Sequence, residues 1–478
     1  MKTHIPLLLI LCLAAFFLSI RPIDDGRKLL AQTWFDEAKA AYQRQETFKC
    51  LRYALEAHRA SPGSAAPWIL AGHCFYLSRQ DAAALDCYNH ALAINPQAQG
   101  LPPFIEMLRR KTSHAALKFT ARERNSLSQK LGQRLMVSVL GTELTGRRKW
   151  MIRAGHVGGV ILFGQNIEDK KQIREFIRTL QASSPIPLLI AVDQEGGAVR
   201  RFREEHGFRV LPSQAALGEK GDPDVAYRFG RIAARQLKEV GANMNLAPVV
   251  DLNRGVEDSI INKYRRSLGS DPQKVALLAA RIVAGMRKEG IIATAKHFPS
   301  QSRVEHDTHL GPVFSSASLK ELEDDDFVPY RRLIAEGLDA VMLSHVSYPK
   351  LDPYFPASLS NEVVDGLLRG ELGFHGVVVC DDLRMGAIKK QFPLEVSVVQ
   401  AVNAGADLLV VTDNMEGRVL DILLDAAADG RISEKEIDES YDRIMALKEK
   451  YGLVKPKASP EDAGNPREVH PKRPTPAS

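Results

Sequence analysis

Residues 376–382 read GVVVCDD: three valines and a cysteine run unbroken into two aspartates. A strand with one wet face alternates apolar and polar side chains, so an unbroken run describes a strand buried on both faces, with its charge held at one end. Seven more stretches have this form: RLMVSVLG (134–141), GGVILFG (158–164), LLIAVDQ (188–194), ANMNLAPVVDL (242–252), IATAKHF (292–298), AVMLSHV (340–346) and ADLLVVT (406–412). Between them lie segments with apolar residues at helical spacing, such as KKQIREFIRTLQ (170–181) and DPQKVALLAARIVAGMRKEG (271–290). Eight buried parallel strands alternating with helices over 122–453 predict an α/β fold of the TIM (β/α)₈ barrel type. Asp193, His297, His345 and Asp381 fall at the C-terminal ends of their strands, the face where such barrels carry chemistry.

Outward from the barrel the chain changes character. In the N-terminal part, Trp34 and Trp68, Tyr42 and Tyr76, and Pro62 and Pro96 are each 34 residues apart, and Phe48, Leu51 and Ala57 fall opposite Ala82, Leu85 and Ala91 at the same offset. This period resembles tetratricopeptide repeats, which predicts a small all-α module over 27–118, capped by a helix at 101–118, that docks a protein partner. Ahead of it, IPLLLILCLAAFFLSI (5–20) holds sixteen uncharged residues, about 24 Å as a helix. No A-x-A cleavage site follows it and no lipobox precedes Cys12, so 1–22 reads as a transmembrane signal anchor rather than a cleaved signal peptide, with the body exported. Residues 454–478 are polar and proline-rich, which predicts a disordered tail.

Composition removes several functions. The chain has 478 residues, 45% of them apolar and 26% charged, with a net charge of +6 and no basic helix interleaved with aromatics, so nucleic acid is not an expected partner. Cys12, Cys50, Cys74, Cys87 and Cys380 lie far apart with no paired spacing, so they suggest neither a zinc site nor a disulfide framework and leave the redox compartment open. His297, His306 and His309 lack the short helical spacing of metal ligands, so neither a metal nor an organic cofactor is expected.

Four motifs occur in order after strand-like runs: AVDQEGGAVRRF (191–202), RRSLGSDP (265–272), KHFP (296–299) followed by DTH (307–309), and VVVCDDLRMGA (377–387). Jointly they resemble the β-N-acetylglucosaminidases of glycoside hydrolase family 3, over about 130–453. The resemblance implies Asp381 as nucleophile, His309 as acid/base with Asp307 orienting it, and Asp193, Arg201, Arg266, Lys296 and His297 as sugar-binding residues. His309 stands twelve residues after His297, as the family spacing requires. It also implies a substrate, terminal β-linked N-acetylglucosamine, plausible in cell-wall fragments. The chemistry suits these residue types. A retaining glycosidase needs a carboxylate on one face of the anomeric carbon and a proton donor on the other. An imidazole, with an unperturbed pKa of about 6.5, can give and take a proton without deep burial.

Two departures stand out. Ser300, Gln301 and Ser302 replace a Gly-His-Gly corner, where serine resists backbone conformations open to glycine, and NKYRRSLG fits the family loosely ahead of Arg266. Other readings of single residues stay open. Asp381 can cap a helix, Asp193 can fix the Gly196-Gly197 turn, Arg266 can pair with Asp271, a solvated His306 needs no role, and His345 has none assigned. A non-catalytic glycan-binding scaffold and a phosphorolytic enzyme are the competing functions.

Overall fold

In the computed structural model of the chain, the described residues are 25–44, 47–77, 81–98, 101, 105, 108 and 121–455. The expected N-terminal anchor, most of the expected capping helix and nearly all of the expected tail lie outside them. Among the described residues, no helix is long and apolar enough to cross a membrane.

Eight parallel strands close into a barrel. They are β1 (Leu135–Ser138), β2 (Gly159–Leu162), β3 (Leu189–Val192), β6 (Met244–Asn245), β7 (Ile292–Phe298), β8 (Ala340–Leu343), β9 (Val377–Cys380) and β10 (Leu408–Val411). β4 (Gln194–Gly196) and β5 (Val199–Arg200) form a small antiparallel hairpin directly after β3. The unbroken apolar runs divide by alternation. Met136, Ile161, Leu189, Ala191, Met342 and Val379 fill the barrel interior, while Leu135, Val137, Val160, Ile190 and Val378 join the core under the helices. Each fully buried side chain of this size stabilises by roughly 1.5–3 kcal/mol before ordering entropy is set against it. Ile444 and Leu447 of the helix Glu434–Lys450 close the interior layer.

One expected strand is much shorter than its apolar run. Of 242–252 only Met244–Asn245 is regular strand, although single bonds to β7 continue beyond it, from the Lys296 N–H to the Pro248 carbonyl at 3.1 Å and from the Val250 N–H to the Lys296 carbonyl at 2.9 Å. The rest runs as a buried loop that places Asp251 at the barrel mouth.

Among the described residues, the N-terminal module has four helices, α1 (Asp25–Gln43), α2 (Thr47–Ala60), α3 (Ala66–Leu77) and α4 (Asp81–Ile94), and the helix Ala121–Gly132 leads from there into β1. α1 packs on α2, and α3 packs on α2 and α4. Gly72 allows the tightest approach, since a Cβ there would lie 2.5 Å from the Tyr88 ring. Cys50 of α2 and Cys74 of α3 are joined by a disulfide, which overturns the expectation drawn from cysteine spacing. Their separation of 24 residues matches no pattern; the fold of one hairpin against the next brings them together. The module is seated on the barrel: α4 packs against the helix Leu394–Ala404, Arg52 donates to the Pro353 carbonyl, and Arg59 donates to Gln391.

Candidate active site

At the C-terminal end of the barrel lies a cavity of about 270 Å³. All eight residues singled out in the motifs line it: Asp193, Arg201, Arg266, Lys296, His297, Asp307, His309 and Asp381.

Its floor is a closed network of charge. Lys296 and His297 are neighbours, and a regular strand would send them to opposite faces. In β7 the pairing with β8 passes from Lys296 to Phe298, and this bulge leaves both side chains at the cavity. The Lys296 ammonium donates to Asp193 Oδ1 at 2.8 Å and lies 2.7 Å from Glu195 Oε1. Arg201 donates to Asp193 Oδ2 at 2.9 Å. Arg266 grips Glu195 through Nε and Nη2, both at 2.8 Å. It does not pair with Asp271, which instead caps the helix Pro272–Lys288. Burial alone would raise the carboxyls of Asp193 and Glu195, but the facing cations outweigh it, so Asp193 lies well below the usual range and Glu195 is held at about 2. The same pairing overcomes burial at Lys296 and Arg266 and pushes both up.

His297 is fixed by an acid that sequence reasoning did not assign. Asp251 Oδ2 meets the ring Nδ1 at 2.7 Å and accepts the His297 backbone N–H at 3.2 Å. That arrangement puts a proton on Nδ1, and Nε2 lies 3.4 Å from an Arg266 nitrogen. Glu195, whose side chain is 1% exposed, was likewise unassigned. A signal existed for both: Glu195 follows Asp193 by two residues, and Asp251 ends the apolar run APVV. The Gly196-Gly197 turn holds the first pair in place. At φ of +90° and +58°, both residues are left-handed, and a Cβ on Gly196 would sit 2.3 Å from the Pro212 carbonyl oxygen.

Above the floor stand the two candidate reacting groups. Asp381 follows β9 and is not a helix cap; its Oδ1 accepts the Asp382 N–H at 2.8 Å. Asp382 is pinned by Thr412 Oγ1 at 2.6 Å and by the Arg384 N–H at 3.0 Å. Fully buried His345 lies 3.1 Å from the Asp382 carbonyl oxygen through Nε2 and 2.7 Å from Ser358 Oγ through Nδ1. It therefore steadies the segment that carries Asp381. Across the mouth, His309 Nδ1 lies 2.6 Å from Asp307 Oδ1, which also accepts the His309 N–H at 2.8 Å. The imidazole is 63% exposed, so the dyad belongs to the entrance. Neighbouring His306 is exposed to solvent.

The corner at 300–302 solves its geometry without glycine. None of the three residues has a positive φ. All are buried and bonded: Ser300 Oγ donates to Asp326 at 2.7 Å, Ser302 Oγ accepts the Leu252 N–H at 2.7 Å, and the Gln301 N–H reaches Asp251 at 2.6 Å. The expectation that serine resists this loop is therefore corrected, because these bonds hold the backbone in the ordinary region.

Known proteins resemble this chain in sequence and in shape. The family described as the glycosyl hydrolase family 3 N terminal domain matches residues 126–447. The chain is 39% identical over 290 residues to a β-hexosaminidase of Tolumonas auensis, covering 60% of this chain and 84% of that protein. It is 36% identical over 315 residues to a β-hexosaminidase of Idiomarina loihiensis, covering 65% and 92%. A solved glycoside hydrolase family 3 β-N-acetylglucosaminidase from a Paenibacillus species superposes with a TM-score of 0.66 at 38% identity, covering 72% of this chain and 66% of that one. A β-N-acetylhexosaminidase from Beutenbergia cavernae superposes with a TM-score of 0.63 at 30% identity, covering 67% and 98%.

Proposed function

The chain belongs to glycoside hydrolase family 3 and is a glycosidase, and from that premise we propose that it is a retaining exo-β-N-acetylglucosaminidase releasing terminal N-acetylglucosamine. The observation that carries this reading is the pairing, around one cavity, of the Asp381 carboxylate with the His309–Asp307 dyad. The cavity of about 270 Å³ lies below the roughly 300–1,000 Å³ that drug-sized ligands occupy, which suits a single sugar.

In the first step Asp381 attacks the anomeric carbon while His309 gives its proton to the departing oxygen, and a covalent glycosyl-enzyme results. In the second, His309 takes a proton from water, and that water displaces Asp381 with restored configuration. Asp307 holds the imidazole in the tautomer that serves both steps, as the aspartate of a hydrolytic triad does. The floor supplies fixed hydrogen bonds to sugar hydroxyls: Lys296 spends two of its three protons on Asp193 and Glu195 and keeps one for the ligand.

Peptidoglycan fragments are the natural substrate in this reading, handled outside the cytoplasm by a body tethered through 5–20. The Cys50–Cys74 disulfide supports an oxidising compartment. The helical hairpins support tetratricopeptide-like docking of a protein partner, since the ends of α1 and α3, and of α2 and α4, are each 34 residues apart. Hydrolysis of an aryl N-acetyl-β-glucosaminide, with and without phosphate, tests the activity. Asp381→Asn is expected to abolish turnover while its melting temperature stays near that of wild type. Turnover equal to wild type removes Asp381 from the mechanism, and a rate that requires phosphate replaces hydrolysis by phosphorolysis.

A further inference from the structure

The helical module meets the barrel through loops of its catalytic face. Arg52 and Arg59 stand seven residues apart on α2, and hence on one side of it. Arg52 donates to the Pro353 carbonyl in the loop after β8, and Arg59 donates to Gln391 in the loop after β9. That second loop opens on Asp381. Phe355 and Phe392 join the two loops, with their ring centroids 5.7 Å apart.

The Gln391 amide connects a donor to an acceptor. A guanidinium only donates and a carbonyl only accepts, so the amide has one orientation between them. Its oxygen takes a proton of Arg59 Nη2, and its nitrogen donates to the Ala387 carbonyl at 2.6 Å. Glu56, one turn back on α2, meets Arg59 Nη1 at 2.5 Å and holds the guanidinium in place. Gln391 is buried, so water competes little for either bond.

Ala387 passes the constraint to the acid/base loop. Its N–H donates to the Thr308 carbonyl at 2.9 Å, and the Gly386 N–H donates to the His309 carbonyl at 3.0 Å. Among the described residues, these are the two hydrogen bonds that tie 304–312 to the rest of the chain. A Cβ on Gly386 would lie 2.5 Å from the His309 carbonyl oxygen, so the two backbones are in direct contact. The His309 side chain is 63% exposed, and its Nδ1 bonds to Asp307 of the same loop. The backbone beneath the imidazole therefore sets where it stands.

We propose that the helical module positions the general acid: Arg59, through Gln391 and Ala387, holds the loop that carries His309. The inference rests on the acid/base role proposed above for His309. Arg59 and Gln391 are positioning residues, and neither lines the catalytic cavity. Proton transfer depends steeply on the placement of the donor, so slack in this chain of bonds costs rate at the step that His309 serves.

The test uses the full-length protein and two N-acetyl-β-glucosaminides, one with an activated aryl leaving group and one with an alkyl leaving group that must be protonated to depart. Arg59→Ala is expected to lower kcat/KM on the alkyl substrate about three- to tenfold, the range for losing one hydrogen bond, and to spare the aryl substrate. Gln391→Glu keeps an acceptor for Arg59 but sets a carboxylate against the Ala387 carbonyl, and it should show the same dependence on the leaving group. A loss of folded protein would instead lower both values alike. His309→Ala provides the reference, and adding Arg59→Ala to it should separate the two substrates no further. An equal fall on both substrates, or no fall, in both single variants overturns the positioning role alone, provided that His309→Ala still separates them. If His309→Ala does not separate them, the acid/base assignment falls and the positioning role falls with it.

Discussion

Glu195→Gln should destabilise the barrel more than any other single charge neutralisation in the catalytic floor. The substitution keeps the shape of the side chain and removes its charge. Glu195 meets Arg266 twice at 2.8 Å and Lys296 once at 2.7 Å, while the side chains of Glu195, Arg266 and Lys296 are 1%, 10% and 3% exposed. Solvent screening therefore gives little relief, and removing one partner of such a buried pair costs about 3–5 kcal/mol. At roughly 2 °C per kcal/mol for a domain of this size, the melting temperature should fall by about 6 °C or more. Differential scanning calorimetry measures it, with the exposed Glu204→Gln as control. The pH dependence supplies a second check. Both floor carboxyls are held below their unfolded values, so their contribution is complete above about pH 4 and is lost as pH falls toward about 2. The gap between wild type and variant should close over that window. If Glu195→Gln melts within 1 °C of the control at neutral pH, the floor is not an electrostatic lock.

Three further outcomes are expected. His309→Ala should slow turnover by about 10²–10⁴-fold on poor leaving groups and less on activated aryl ones. Asp307→Asn should act in the same direction, and azide should rescue the activated substrate as the β-glycosyl azide; an α-azide product would refute retention. At the opposite end of the barrel, Lys448 is fully buried against Gln133 Oε1 at 2.6 Å and the Gly158 carbonyl at 2.9 Å, and burial pushes its ammonium down to about 7. Because the unfolded chain holds that proton up to about pH 10.4, stability should rise with pH between about 7 and 10, and Lys448→Met should flatten the rise in urea titrations. Finally, the full-length protein should sediment with membranes and resist extraction by salt; recovery of an intact soluble form contradicts the anchor.

The barrel was legible because its strands are buried on both faces, and such runs as VVVC and LLIAV have no other stable home in a chain of this kind. The acids and histidines that end them were legible for the same reason, since a charge beside a buried strand must lie at an opening. Partnership was not legible. Arg266 had a local acid in Asp271, yet it turns to Glu195, 71 residues away, because the hairpin after β3 carries that carboxylate into the barrel mouth. His297 depends on Asp251 in the same way, through a loop that only the fold brings near. The disulfide depended on how two hairpins stack, and the π-helical turns at Leu322–Asp326 and Glu362–Glu371 left no composition signal.

The closed network at the base of the cavity has a consequence for anyone measuring this enzyme. Asp193 and Glu195 are pushed down, and Lys296 and Arg266 pushed up, so these four groups stay ionised across the pH range of living cells. These four charges do not change there. Acidity of the medium therefore leaves the charge of this lattice untouched.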